Sequence, residues 1–349
     1  MRIGILTGGG DCPGLNAVIR AVVRKGVLNY GNVILGIYQG WKGLLEDNLI
    51  KPLGLRDVSG ILHRGGTILR SSRTNPFKQK DGLEKIKENM AKHDMSALIA
   101  VGGEDTLGVA AKLHEKGVNV VGVPKTIDND VVGTDRTFGF DTAVNIATEA
   151  IDRIHTTAES HNRIMVIEVM GRHAGWIATE SGLAGGADII LIPEKTTYIS
   201  EICDLLKRRH VRGKDFSIVV VSEGAKIKLS PEDKEEDMVL QDKKIDEFGH
   251  VRLGGIGYKV ADLLEEGTGY ETRVVILGYV QRGGTPTAYD RVLATRFGIH
   301  AIDYVQQNKF GYMVSLQGTK IVPYALSDVT TQIKTVDQEL IDISEVFFG

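Results

Sequence analysis

A chain of 349 residues is too long for one typical core and implies two domains, in sequence order or interleaved. With 42% hydrophobic and 25% charged residues it reads as an ordinary globular protein, and a net charge of -3 leaves no basic field for nucleic acid or a membrane surface. No 18-residue apolar span occurs, and two cysteines, Cys12 and Cys203, form neither a zinc spacing nor a disulfide framework, which fits a reducing, cytosolic setting.

The first apolar run, residues 3–6, is strand-like and too short for a signal-peptide core. It leads into G-G-G-D-C-P-G at 8–14 and a helical pattern at 15–29. A strand-to-helix turn rich in glycine suits an anion, because free N–H groups and the helix dipole face it. The turn lacks the Lys-Ser/Thr of a P-loop and does not read G-x-G-x-x-G, so alone it is equally a tight turn. R-G-G-T-I-L-R-S-S-R follows at 64–73.

The run at 97–101 ends in V-G-G-E-D-T, and a helical pattern follows at 106–115. Two carboxylates, Glu104 and Asp105, stand behind a glycine pair of the kind that cradles phosphate, which needs explaining. Another run at 118–123 leads into P-K-T-I-D-N-D, with aspartates two apart. Such a carboxylate can take a proton from a hydroxyl or hold a metal; the bland reading is an Asx turn. A helical pattern at 143–158 precedes the run at 164–169 and M-G-R-H-A-G-W at 170–176. Runs at 189–192, 218–221 and 274–277 follow, with S-E-G at 222–224 and Y-V-Q-R-G-G at 279–284, before a helical pattern at 288–307. Arginine beside glycine suits phosphate, although any single arginine is more simply a surface ion pair, and His173 alone reads as structural. The charged stretch 226–250 reads as a solvated excursion.

Nearly continuous apolar runs alternating with helices argue for a doubly wound α/β fold with parallel sheets. Ligands then bind at the carboxyl ends of the strands, where the glycine clusters lie. Glycine is enriched, 42 of 349 or about 12% against a usual ~7%, and its excess falls in those clusters.

Taken together and in order, G-G-G-D-C-P-G-L-N, R-G-G-T-I-L-R-S-S-R, G-G-E-D-T, P-K-T-I-D-N-D, E-V-M-G-R-H-A-G, S-E-G and G-Y-V-Q-R-G-G-T-P resemble the 6-phosphofructokinase family from residue 3 to about 330. The resemblance implies two similar Rossmann-like domains with the site between them. It assigns 1–139 and 282–331 to the phosphoryl donor and 140–281 and 332–349 to the sugar phosphate. It implies transfer of a phosphoryl group to the 1-hydroxyl of fructose 6-phosphate with Asp128 as general base. Thr126, Met170, Gly171, Arg172, Glu223 and Arg282 match sugar-phosphate contacts. Tyr279 joins them where many ATP-using members carry histidine. Arg163 and Arg273 match arginines that reach a neighbouring subunit's site, which implies a homodimer or homotetramer. Gly10 and Arg73 match donor-side positions. Arg20 and Arg24 match part of the effector site of regulated members, but Leu55 replaces an arginine there, which puts that control in doubt.

The resemblance also addresses the two carboxylates. Glu104 stands at the family's magnesium ligand, so it would hold Mg²⁺ as counter-ion to the donor. Asp105 stands where ATP-using members have glycine, and adds volume and like charge where an α-phosphate would lie. Lys125 replaces another glycine and can offset the charge of a small donor. Asp105 and Lys125 together resemble the pyrophosphate-dependent branch, so pyrophosphate is the expected donor. Rival readings are an ATP-dependent phosphofructokinase, an NAD or lipid kinase sharing the Gly-Gly turn, and a non-catalytic phosphosugar-binding subunit. The last would be expected to lack Asp128.

Overall fold

Strands flanked by glycine and covered by helices on both faces are the consequence of apolar runs with no polar alternation. In the computed structural model, which describes residues 1–232, 240–245, 247–248 and 251–348, the chain starts with β1 (Arg2–Thr7), α1 (Leu15–Tyr30), β2 (Val33–Ile37), α2 (Lys42–Leu45), β3 (Ile50–Leu53), α3 (Gly82–Lys92), β4 (Ala97–Gly102), α4 (Glu104–Glu115) and β5 (Val120–Pro124). It continues through α5 (Phe140–His161), β6 (Ile164–Val169), α6 (Trp176–Ala184), β7 (Ile189–Leu191), β8 (Thr197–Tyr198), α7 (Ile199–Val211), β9 (Ser217–Ser222) and β10 (Ile227–Lys228). It ends with β11 (Leu240–Ile245), β12 (Val251–Leu253), α8 (Ile256–Thr268), β13 (Thr272–Ile276), α9 (Ala288–Gln306), β14 (Tyr312–Gln317), β15 (Lys320–Ala325) and α10 (Gln338–Glu345).

Two main sheets result. The first has the order β15-β14-β5-β4-β1-β2-β3, the second β13-β6-β9-β7. The second is wholly parallel; the first is parallel except for its two edge strands, β3 and β15. Pro323 sits in edge strand β15, where its missing N–H leaves no ladder partner unsatisfied. Strands β4, β6 and β9 are buried along their whole length, as their unbroken apolar runs require. Because β14 and β15 return to the first sheet after the second is complete, the two α/β units are interleaved. Helix α9 brings the chain back by packing along α1. Phe297 of α9 meets Phe138 edge-on at 6.3 Å, worth about 0.5–1.5 kcal/mol beyond its buried area.

All seven apolar runs singled out in the sequence become strands. The helix expected from 106 begins at Glu104, so the two unexplained carboxylates lie in its first turn rather than in a loop. Of the charged stretch 226–250, residues 233–239, 246 and 249–250 lie outside the described residues; the rest includes β10 and β11. No helix among the described residues is long and apolar enough to cross a membrane, and both cysteines are buried and free.

Candidate active site

The carboxyl ends of both main sheets converge on one cleft. On the first sheet, β1 runs into Gly8-Gly9-Gly10, β4 into Gly103 and the start of α4, and β5 into Lys125–Asp130. On the second, β6 runs into Met170-Gly171-Arg172 and β9 into Glu223. After β13, a single tight turn, Gly278–Arg282, carries Tyr279 and Arg282.

Two cavities adjoin on the first-sheet side, and the more open one, about 450 Å³, is lined by Gly9, Gly10, Ser71, Arg73, Tyr279 and Arg282. The other, about 70 Å³, is walled by Gly10, Glu104, Asp105, Lys125, Thr126 and Asp128, with Arg73, Arg172 and Arg282 closing it. That is far below the roughly 300–1,000 Å³ of pockets that enclose a drug-sized ligand. Glu104 and Asp105 favour the positive end of α4, which explains why the helix tolerates them. Both nevertheless face the cavity. Lys125 is 3% exposed and its Nζ donates to the carbonyl of Gly10. Burial, reinforced by the Arg282 charge, pulls its pKa down. Arg282 crosses to the same place. A Cβ on Gly10 would lie 2.6 Å from its guanidinium, so glycine there admits the arginine.

The loop after β5 holds the acid-base candidates rigidly. Asp128 N–H donates to Thr126 Oγ1 at 3.0 Å, Thr137 Oγ1 donates to the Thr126 carbonyl at 2.9 Å, and Asn129 Oδ1 accepts the Thr137 N–H at 3.1 Å. Asn129 has a φ of +53°, a left-handed conformation that asparagine accepts more readily than most residues. Asp128 is 4% exposed and its Oδ1 is buried without a partner among the described residues. An unsatisfied buried carboxylate oxygen is costly, and a hydroxyl donor entering the cleft would satisfy it. Asp130 also lines the cavity. Burial and the neighbouring Asp128 charge push its pKa up.

On the second-sheet side a cavity of about 310 Å³ adjoins the one at Asp105 and is lined by Met170, Arg172, Glu223, Tyr279 and Arg282, with Arg73 shared. Burial first, then the Asp128 charge, raises Glu223 to about 7. Its carboxylate accepts the Arg172 N–H at 3.2 Å. Arg172 has a φ of +48°, a strain of about 1–3 kcal/mol for a non-glycine residue. Gly224 explains how this turn is accommodated: a Cβ there would sit 1.7 Å from the Arg172 carbonyl oxygen. The S-E-G motif is therefore one glycine that lets the M-G-R turn approach and one glutamate that holds it.

Arg163 and Arg273 are not in this chain's cleft. They lie at the amino ends of β6 and β13, where Arg163 Nε pairs with Glu271 at 2.8 Å and Arg273 bonds the same carboxylate. Every other site residue expected from the sequence borders the cleft, Gly171 through the turn it shares with Arg172. The sequence reading passed over several cleft residues. Asp130 was visible as the second aspartate of its motif. Buried Gln281 accepts the Met170 N–H at 3.4 Å, and its signal was the glutamine of Q-R-G-G. Phe248, Leu253 and Tyr258 line the cavities from a stretch read only as charged or unremarkable.

Among the described residues no three His, Cys, Asp or Glu side chains form a ready-made metal cage. Mg²⁺ commonly takes one or two carboxylates and completes its shell with water and substrate phosphate, so Glu104 beside a phosphate-sized cavity fits it.

A family model for phosphofructokinase matches residues 2–305. A protein of Amycolatopsis mediterranei (strain S699) named pyrophosphate--fructose 6-phosphate 1-phosphotransferase is 60% identical over 350 residues, covering all of both chains. A protein of Streptomyces coelicolor named ATP-dependent 6-phosphofructokinase 3 is 52% identical over 96% of both chains. Among solved structures, phosphofructokinase from Saccharomyces cerevisiae superposes with a TM-score of 0.82 at 31% identity, covering 99% of this chain and 50% of that one.

Proposed function

The chain belongs to the phosphofructokinase family, and from that premise we propose that it moves a phosphoryl group from pyrophosphate to the 1-hydroxyl of fructose 6-phosphate. The products are phosphate and fructose 1,6-bisphosphate. The reaction runs in either direction, in glycolysis or gluconeogenesis, because the anhydride broken and the ester formed are both modest in energy. The observation that carries the choice of donor is Asp105 facing a 70 Å³ cavity beside buried Lys125. The chain's full-length likeness to relatives named for pyrophosphate, at 59–60% identity, supports the same choice over ATP.

Asp128 accepts the proton of the 1-hydroxyl as its oxygen bonds to the donor phosphorus, and the P–O bond to the departing phosphate breaks. Phosphoryl transfer asks mostly for positioning and charge neutralisation. Lys125 and Arg73 surround the donor with positive charge, and Arg282, a sugar-phosphate ligand, borders both cavities and adds to it. Glu104 would hold Mg²⁺, which would supply positive charge against the donor. Glu223 and the Met170–Arg172 turn orient the sugar, with Thr126 and Tyr279 at its edges. Asp105 repels a further phosphate or nucleoside. In a homodimer or homotetramer, Arg163 and Arg273 would complete a neighbour's sugar-phosphate site.

The test is ³¹P NMR of purified protein with Mg²⁺, pyrophosphate and fructose 6-phosphate. One equivalent of phosphate and one of fructose 1,6-bisphosphate should form for each pyrophosphate consumed. Hydrolysis of pyrophosphate without sugar phosphorylation would overturn the reading.

A further inference from the structure

The segment after β15 lies beyond the family match at residue 305, yet it reaches both halves of the site. The Lys334 N–H donates to the carbonyl of Asp130 at 2.9 Å, two residues from Asp128. Its Nζ donates to the carbonyls of Thr134 and Asp135 at 2.9 and 2.6 Å, on the same loop. Its own carbonyl accepts Trp176 Nε1–H at 3.0 Å, and its Nζ lies 5.0 Å from the centre of that indole. Two residues on, the Val336 N–H donates to Glu194 Oε1 at 3.0 Å, and the same carboxylate accepts the Gly175 N–H at 2.9 Å. Gly175 and Trp176 directly follow the sugar-binding turn and open α6.

We infer that Lys334 is a positioning residue: its ammonium pins the loop bearing Asp128 at Thr134 and Asp135 and lies over Trp176 of α6, its peptide bonds both elements, and together they fix the general base against the sugar-binding turn. The Lys334 contacts lie on one side chain and its own peptide, and with the Val336–Glu194–Gly175 link they join loops from two different sheets. A misplacement on the order of 1 Å at such a junction can cost about a hundredfold in rate.

Charge makes this junction sensitive to pH. Arg136, Asp135, Asp337 and Glu180 face the Lys334 ammonium. Burial, with Arg136 adding to it, pulls the pKa down to about 8. Charge-assisted hydrogen bonds are roughly twice as strong as neutral ones, so the two carbonyl bonds weaken when the proton leaves. Stability moves the opposite way. Between about 8 and the ordinary 10.5 the unfolded chain binds more protons at this site, so Lys334 makes unfolding less favourable as pH rises. A fall in turnover there is not an unfolding effect of this lysine.

The turnover arm rests on the phosphotransferase reading, whereas the optical arm does not. Tryptophan fluorescence of the full chain, which holds only Trp41 and Trp176, is followed from pH 6.5 to 9.5 in wild type, Lys334→Arg and Lys334→Met. Wild type should titrate with a midpoint near 8, and both variants should lack that step. With pyrophosphate and fructose 6-phosphate, Lys334→Met should lose about ten- to a hundredfold in kcat with KM within about threefold. Lys334→Arg should restore kcat at pH 7.5 and remove the alkaline fall. Absence of the step in wild type, or its persistence in either variant, overturns the inference even if no variant is active. Wild-type kcat in folded Lys334→Met overturns it too. A protein that shows the optical step but no phosphoryl transfer would instead sink the proposed function.

Discussion

The two sides of the cleft are built differently. On the first-sheet side, Lys125 and Asp128 are 3% and 4% exposed, the contacts run to backbone carbonyls and N–H groups, and the cavity beside them holds about 70 Å³. On the second-sheet side the cavity is about 310 Å³, Tyr279 is 71% exposed, and two expected sugar-phosphate arginines lie at the far ends of their strands. The proposed donor side draws its lining from this one chain, and Asp105 is proposed to select there by exclusion. The proposed sugar side has a larger cavity than the one at Asp105, and a second subunit is expected to finish it.

Asp128→Ala should act on the first-sheet side with the largest effect. Steady-state kinetics should show kcat down by about 10²–10⁴-fold with little change in KM for the sugar phosphate. Normal turnover would remove Asp128 as the base. Arg172→Ala should instead raise KM for fructose 6-phosphate by about ten- to a hundredfold, the scale of a lost charged hydrogen bond. An unchanged KM would break its assignment to the sugar side.

Arg273→Ala sharpens the contrast through assembly. It should raise the same KM by about tenfold at most and leave the KM for pyrophosphate alone. Diluting the wild type below its assembly concentration should mimic that selective loss. A KM for sugar phosphate that ignores dilution down to proven monomers would show that each chain completes its own site.

Glu223→Gln should give the smallest effect, read in stability. The folded carboxyl, raised to about 7 from 4.5, holds its proton while the unfolded one has lost it, so wild-type stability falls as pH rises through that window. Denaturant unfolding between pH 4.5 and 7 should show a shallower fall in the variant. Some fall should persist from Asp290, which burial raises to about 6. Identical slopes would mean that Glu223 is not the strained acid.

Local chemistry made much of this readable from the residues. Each run such as 164–169 is buried on both faces, so its apolar continuity survives in the sequence. The turns at Gly10, Gly103 and Arg172 sit at strand ends, where glycine clusters mark them. Edge strands β3 and β15 are mixed in polarity and gave no such run. What stayed hidden is long-range. Nothing around Glu194 announces that its carboxylate joins Gly175 to Val336, and nothing near Lys334 points to Asp130. The clash that a Cβ on Gly224 would make with the Arg172 carbonyl exists only once both strands are in place, so the glycine has no reason visible in the sequence.

Donor choice is proposed to turn on Asp105. Initial rates on fructose 6-phosphate and Mg²⁺, with pyrophosphate or ATP as sole donor, test it most directly in wild type and Asp105→Gly. Wild type should show strong pyrophosphate-driven turnover, with ATP-driven turnover emerging only in the variant. Efficient use of ATP by the wild type would contradict it.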